Sequence, residues 1–191
     1  MSLRAAAWDG TATSRRFLLL LPVLATAGAG APEPSGYRMK DYRAPTPATL
    51  AGGRVLTTAA ARALWQDHAA VFIDVLPQPP RPTGLPAGTI WRPQPRFDIP
   101  GSIWLPDVGY GALAPVMQDW FVHELAPRRD KLLVFYCRPA CWHSWNAAKR
   151  ALALGCPKVA WYPEGTDGWA AAGLPLEKRT PEPRPDVSEA Q

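Results

Sequence analysis

The chain predicts an α/β domain with a mainly parallel central sheet flanked by helices on both faces. Two observations carry that prediction. Short apolar runs rich in β-branched residues alternate with segments whose apolar residues recur at helical spacing. The almost wholly apolar run Lys131-Leu132-Leu133-Val134-Phe135-Tyr136 lacks the polar alternation of a half-exposed strand and reads as one buried on both faces. The 191 residues suffice for one such domain with appendages, and a hydrophobic share of 47% is ordinary for a globular core.

Residues 1–29 read as an export signal. Arg4, Arg15 and Arg16 precede the apolar run Phe17 to Leu24, and the small residues Ala27-Gly28-Ala29 suit cleavage before Gly30. The run is shorter than the roughly 20 apolar residues a bilayer span needs, so no stable span is expected after cleavage. An uncleaved anchor is the alternative. The expected destination is a bacterial periplasm, where cysteines meet oxidants. Residues 30–53, rich in Pro, Gly and Ala, read as an extended arm on the domain surface or as disorder.

The folded domain is expected over 54–177. Thr57 or Thr58 caps a helix through Ala59 to Trp65, and Ala70 to Val75 forms a strand. Residues 77–100 hold eight of the chain's 23 prolines. A loop this long is usually functional or disordered, and its Trp91 and Phe97 favour an ordered flap. Ser102 to Leu105 is a second strand, and Ala114 to Leu125 a helix with Met117, Trp120, Phe121 and Leu125 on one face. The strand 131–136 ends on Cys137. A helix over Ser144 to Leu154 stops at Gly155 and Pro157, the last strand is Lys158 to Tyr162, and 178–191 is a tail.

Charge excludes little but is informative. The net charge is +5, and without the three leader arginines the excess is about +2. No basic helix or aromatic-interleaved basic stripe appears, so no nucleic-acid partner is expected. His68 and His123, with Asp67 and Glu124, show no metal-ligand spacing, and neither a metal nor a cofactor is expected.

Chemical information concentrates in Cys137-Arg138-Pro139-Ala140-Cys141-Trp142-His143-Ser144-Trp145. Ligand sites of parallel sheets lie beyond the carboxyl ends of the strands. A cysteine on such a strand-to-helix turn faces unpaired backbone N–H groups and the positive end of the helix dipole, which stabilise a thiolate. Alternatively, Cys137 is a small buried hydrophobe. Cys141 is placed to close a small disulfide ring or to resolve an adduct on Cys137, and a passive structural disulfide is the competing reading. The spacing matches neither Cys-x-x-Cys redox motifs nor haem attachment. His143 either adds positive character or moves a proton, or is a solvated first-turn histidine. Cys156 reads as a packed core thiol.

Four segments together resemble the rhodanese-like domains: Ile73-Asp74-Val75, Ile99-Pro100-Gly101-Ser102-Ile103, Cys137-Arg138, and Tyr162-Pro163-Glu164-Gly165 through Trp169 to Gly173-Leu174-Pro175. The resemblance implies sulfur transfer. Cys137 would hold a sulfane sulfur as a persulfide, with Cys141, Arg138 and His143 as further catalytic candidates. Pro139, Ala140, Trp142 and Ser144 would line the anion-binding loop, and Asp74, Gly165, Asp167 and Trp169 would support it. Two departures stand out: Ala140 stands near the middle of the loop where a glycine is usual, and Asp74 is followed by Val75-Leu76 where the family often has arginine next, so a family ion pair is expected to be missing. The loop length resembles that of the cell-cycle phosphatases, but the arginine they need at the loop end is absent. Cys137-x-x-x-Cys141-Trp142, with Ser144 to Arg150 and Trp161 to Trp169, further resembles the exported family associated with pyrroloquinoline-quinone-dependent alcohol catabolism. The implied partners are a small sulfur donor or protein thiol, and a periplasmic quinoprotein dehydrogenase, cytochrome or transporter. Thiol-redox cycling of Cys137 and Cys141, and a non-catalytic binding module, are the alternatives.

Overall fold

The computed structural model describes residues 31–79, 82–90, 92 and 94–185. The leader and Trp91 lie outside the described residues. The elements run β1 (Arg54–Val55), α1 (Thr58–Gln66), β2 (Val71–Asp74), β3 (Arg96–Asp98), β4 (Ile103–Trp104), α2 (Pro115–Leu125), β5 (Leu133–Tyr136), α3 (Trp142–Ala153), β6 (Val159–Tyr162), α4 (Gly165–Ala171) and β7 (Glu177–Arg179). Strands β1-β6-β5-β2-β4 form the central sheet, and every pairing in it is parallel. That is the α/β architecture expected. β3 and β7 pair separately as an antiparallel ribbon.

Alternate strand residues feed two apolar layers, as a sheet covered on both faces requires. Ile73, Leu133, Phe135, Val159 and Trp161 pack with Met117, Phe121, Trp145 and Ala148 of α2 and α3. Phe72, Val134, Tyr136, Ala160 and Tyr162 pack with Ala61 of α1 and Trp169 of α4. β5 lies at the middle of the sheet and is buried throughout, so Cys137 emerges at the carboxyl end of the central strand. Thr57 caps α1 by accepting the Ala60 N–H at 3.3 Å.

Helix α3 starts at Trp142, two residues before the expected Ser144. Its N-cap, Cys141, makes no side-chain cap hydrogen bond, so the usual start signal is missing from the sequence. Trp142 to Ala148, Arg150 and Ala151 are all buried, because the arm lies against the helix face that the sheet leaves uncovered. Asn146 holds the arm through both backbone groups of one residue: its Oδ1 accepts the Arg38 N–H and its Nδ2 donates to the Arg38 carbonyl, each at 2.9 Å. Lys149 donates to the Pro34 carbonyl, and the Trp145 indole donates to Thr49 O at 3.0 Å. The arm is therefore docked on the domain surface. Within 77–100 the packing concentrates at the carboxyl end: Phe97 is half exposed and Ile90 is exposed, while β3 is held by β7. The chain remains attached beyond residue 177, through β7 and through Glu182 N–H to Trp104 O at 2.9 Å. Among the described residues no helix is long and apolar enough to cross a membrane.

Candidate active site

Cys137 and Cys141 are joined by a disulfide with a Cα separation of 6.5 Å, inside the usual range of about 4.4–6.8 Å. Both are buried, at 0% and 1% exposure, so neither sulfur meets solvent in this state. Between them the chain turns through Arg138, Pro139 and Ala140. Ala140 takes a left-handed φ of 50° where the resembled loop carries glycine, and an alanine there costs about 1–2 kcal/mol.

The Cys137 carbonyl is held by two N–H donors and approached by a hydroxyl. Thr166 supplies its N–H at 3.1 Å, and its hydroxyl lies at 3.3 Å. Arg96 Nη2 donates from the other side at 3.3 Å. Gly165 allows this approach: it has φ +53°, and a Cβ there would sit 2.5 Å from the Cys137 carbonyl oxygen and 2.7 Å from its carbon. Burying a fully bonded carbonyl at this point fixes the first peptide of the loop.

Arg96 comes from the Pro-rich segment and fills the role the sequence seemed to lack. Its Nε lies 2.5 Å from Asp74 Oδ2 and 2.9 Å from Asp98 Oδ1, and both aspartates are fully buried. The pair with an arginine directly after Asp74 is absent, as expected, and Arg96 supplies Asp74 with a cation in its stead. The cation arrives from β3, which pairs with β7, rather than from the position next to Asp74 in the chain. Asp74 Oδ1 also accepts the Leu76 N–H at 2.9 Å, tying down the loop after β2.

Burial, with the Asp74 charge beside it, pushes the Asp98 carboxyl up from 3.8 to about 9. The folded state then holds a proton that the unfolded chain releases near pH 4. Stability should therefore fall as pH rises from about 4 to about 9. Asp98→Asn is expected to flatten that slope in urea melts at pH 6 and pH 9; equal slopes in both proteins would contradict the assignment.

The other sequence candidates divide by location. Ser144 lies beside the sulfurs, its Oγ 3.3 Å from Cys137 Sγ. Arg138 is partly buried, and its Nε has no hydrogen-bond partner among the described residues. His143 is buried, stacked on Tyr42 at 4.4 Å and edge-on to Tyr110 at 4.8 Å. Burial lowers its pKa to about 4, so the ring is neutral at physiological pH and adds no positive charge to the loop. Trp142 is covered by Arg38, whose guanidinium carbon stands 5.2 Å from the ring centroid. Asp167 is exposed, and its Oδ1 lies 3.2 Å from the Thr166 hydroxyl. Trp169 belongs to the opposite apolar layer, where its indole donates to Pro175 O at 2.8 Å. Cys156 is a buried free thiol whose pKa burial raises.

The arm also reaches the cysteine loop. Arg43 forms an antiparallel bridge with Cys141, and the Trp142 N–H donates to the Tyr42 carbonyl at 2.9 Å. Arg96, Thr166 and Tyr42 were not readable as site residues. Each acts through contacts distant in sequence, and only the Gly165 side of the Thr166 contact carried a motif. Among the described residues no group of three or more His, Cys, Asp and Glu side chains is placed to hold a metal.

Comparison with known proteins places this geometry. The family model for the rhodanese-like domain matches residues 57–172. No curated protein matches the chain. Among solved structures it is similar to a thiosulfate sulfurtransferase from Pseudomonas aeruginosa, at 23% identity and TM-score 0.46, over 73% of this chain but only 23% of that one. A protein of unknown function from Rhodopseudomonas palustris, described as a possible tyrosine phosphatase, is 27% identical with TM-score 0.46, over 66% of this chain and 86% of that one. The polysulfide-sulfur transferase homodimer from Wolinella succinogenes is 20% identical with TM-score 0.41, over 68% and 82%.

Proposed function

The chain belongs to the rhodanese-like domain family, and from that premise we propose that it is a sulfurtransferase-type protein in which Cys137 takes up a sulfane sulfur and Cys141 resolves the adduct. The observation that carries this reading is the bond between Cys137 and Cys141 at the end of the central strand. The two sulfurs are within bonding reach without rearrangement of the loop. A passive cross-link would need no such place beside a helix N-terminus, where a thiolate is favoured.

The cycle begins with reduction of the disulfide by an external dithiol. The Cys137 thiolate then attacks the outer sulfur of a donor. With thiosulfate, the S–S bond of the donor breaks, sulfite leaves with the electron pair, and Cys137 becomes a persulfide anion. Cys141 next attacks Cys137 Sγ and the outer sulfur departs as hydrosulfide, taking the Cys141 proton. This restores the disulfide. Because both sulfurs are buried, the reading also requires the arm segment around Tyr42 and Arg43 to move before a donor enters.

The same bond favours one second reading, a thiol-redox protein that cycles between dithiol and disulfide without carrying sulfur. Peptide-mapped mass spectrometry of the reduced protein given thiosulfate separates the two. Sulfur transfer predicts one hydrosulfide and one sulfite released per disulfide re-formed; disulfide return without either product would leave only the redox reading.

The finer resemblance extends the proposal to location and partners. Residues 1–29 would direct export to the periplasm, where the protein would serve a quinoprotein dehydrogenase, its cytochrome or a transporter. Its support is the Cys137-x-x-x-Cys141-Trp142 pattern with the leader-like N-terminus. Cys137→Ser should impair growth of the host on alcohol, and unimpaired growth would sink a catalytic role there.

A further inference from the structure

Ser144 is buried at 1% exposure and sits at a junction of three groups. Its Oγ accepts the indole N–H of Trp161 at 3.0 Å, donates to the Cys141 carbonyl at 3.1 Å, and lies 3.3 Å from Cys137 Sγ. A serine hydroxyl has one proton to give. The indole is a donor only, so it fills an acceptor position on Oγ and leaves that proton to choose between the Cys141 carbonyl and the Cys137 sulfur.

The choice depends on the state of the sulfur. In the disulfide, Cys137 Sγ is a weak neutral acceptor and the carbonyl wins. After reduction, an ionised Cys137 sulfur is a charged acceptor, and hydrogen bonds to charged groups are roughly twice as strong as neutral ones. We propose that Ser144 is a catalytic residue that switches its hydroxyl from the Cys141 carbonyl to the Cys137 sulfur on reduction, and that Trp161 is the positioning residue that aims it. The switch makes Cys137 the low-pKa member of the pair and leaves Cys141 as the protonated thiol. Among the described residues no hydrogen bond to Cys141 Sγ rivals it.

The redox step balances with an external dithiol as reductant. The dithiol gives two electrons and two protons and becomes a disulfide; the Cys137–Cys141 bond breaks, one proton stays on Cys141, and the other goes to solvent as Cys137 ionises. The inference rests on the reading of Cys137 as the attacking sulfur, but its test needs no sulfur donor, so the two fail separately.

The test is the pH profile of Cys137 alkylation in dithiothreitol-reduced full-length protein, with each cysteine followed by peptide mass spectrometry. Access scales the rate at every pH, whereas the midpoint reports ionisation. Ser144→Ala should raise the Cys137 midpoint by about one to two pH units, the equivalent of one charge-assisted hydrogen bond. Trp161→Phe should raise it by less, and the Cys141 midpoint should stay above that of Cys137 in the wild type. Near-UV circular dichroism confirms that each variant keeps its packing, and either variant alone suffices if the other does not fold. A Cys137 midpoint unchanged in a folded variant, or a wild-type Cys141 midpoint below that of Cys137, would overturn the proposal.

Discussion

Gly165→Ala should lower the free energy of unfolding by about 3 kcal/mol and disable sulfur uptake at Cys137. The new Cβ would meet the Cys137 carbonyl oxygen at 2.5 Å, its carbon at 2.7 Å and Arg138 Cα at 2.9 Å. All three are backbone atoms, so no side chain can swing aside. Overpacking of this kind costs about 1–3 kcal/mol, and the left-handed φ of +53° adds about 1 kcal/mol for alanine. Gly173 provides the control. It has φ +71° but open space around its Cβ position, so Gly173→Ala should cost only the backbone part, about 1–2 kcal/mol. Urea denaturation of both variants decides the matter. Equal losses would mean that the approach of Gly165 to the cysteine loop does not constrain it.

Arg96→Met should cost about 3–5 kcal/mol at neutral pH, the penalty of leaving a buried carboxylate without its cation. Arg96 is largely buried, Asp74 is fully buried, and the same guanidinium reaches the Cys137 carbonyl. Loss of Arg96 therefore removes both the counter-charge of Asp74 at the carboxyl end of β2 and one of the donors that fix the loop. Two arms separate these effects. Adding Asp74→Asn to Arg96→Met should recover part of the stability, because the uncompensated charge is gone, so the double-mutant energy should be clearly non-additive. Sulfur uptake should not recover, since the Cys137 carbonyl still lacks its donor. Additive losses would contradict the ion pair.

The central strand and its cysteine were legible in the sequence for a physical reason. A strand buried on both faces must be apolar throughout, and Leu133 to Tyr136 announces itself by that property; the residue following it inherits the site. Thr57 was legible because a helix cap leaves a local signature. Arg96 was not. Its partner Asp74 is 22 residues away, across a Pro-rich tract, and the two meet only because β3 pairs with β7, a ribbon formed by segments distant in sequence. Helix α3 was placed late because Cys141 caps it without a side-chain acceptor. The meaning of Asn146 and Arg150 was hidden in the same way. They sit in a segment that attracted attention by resemblance, yet Asn146 grips the arm at Arg38, and Arg150 binds the carbonyls of Val108, Tyr110 and Gly111. His143 misled because residue type suggested charge, while burial beneath Tyr42 removes it.

In the proposed cycle Cys137 carries the sulfur and Cys141 removes it. Intact and peptide-mapped mass spectrometry of reduced Cys141→Ser after exposure to thiosulfate tests it most directly. Without its resolving partner, Cys137 should accumulate one additional sulfur and release no hydrosulfide. A Cys141→Ser protein that stays unmodified at Cys137 while the fold is intact would contradict the claim.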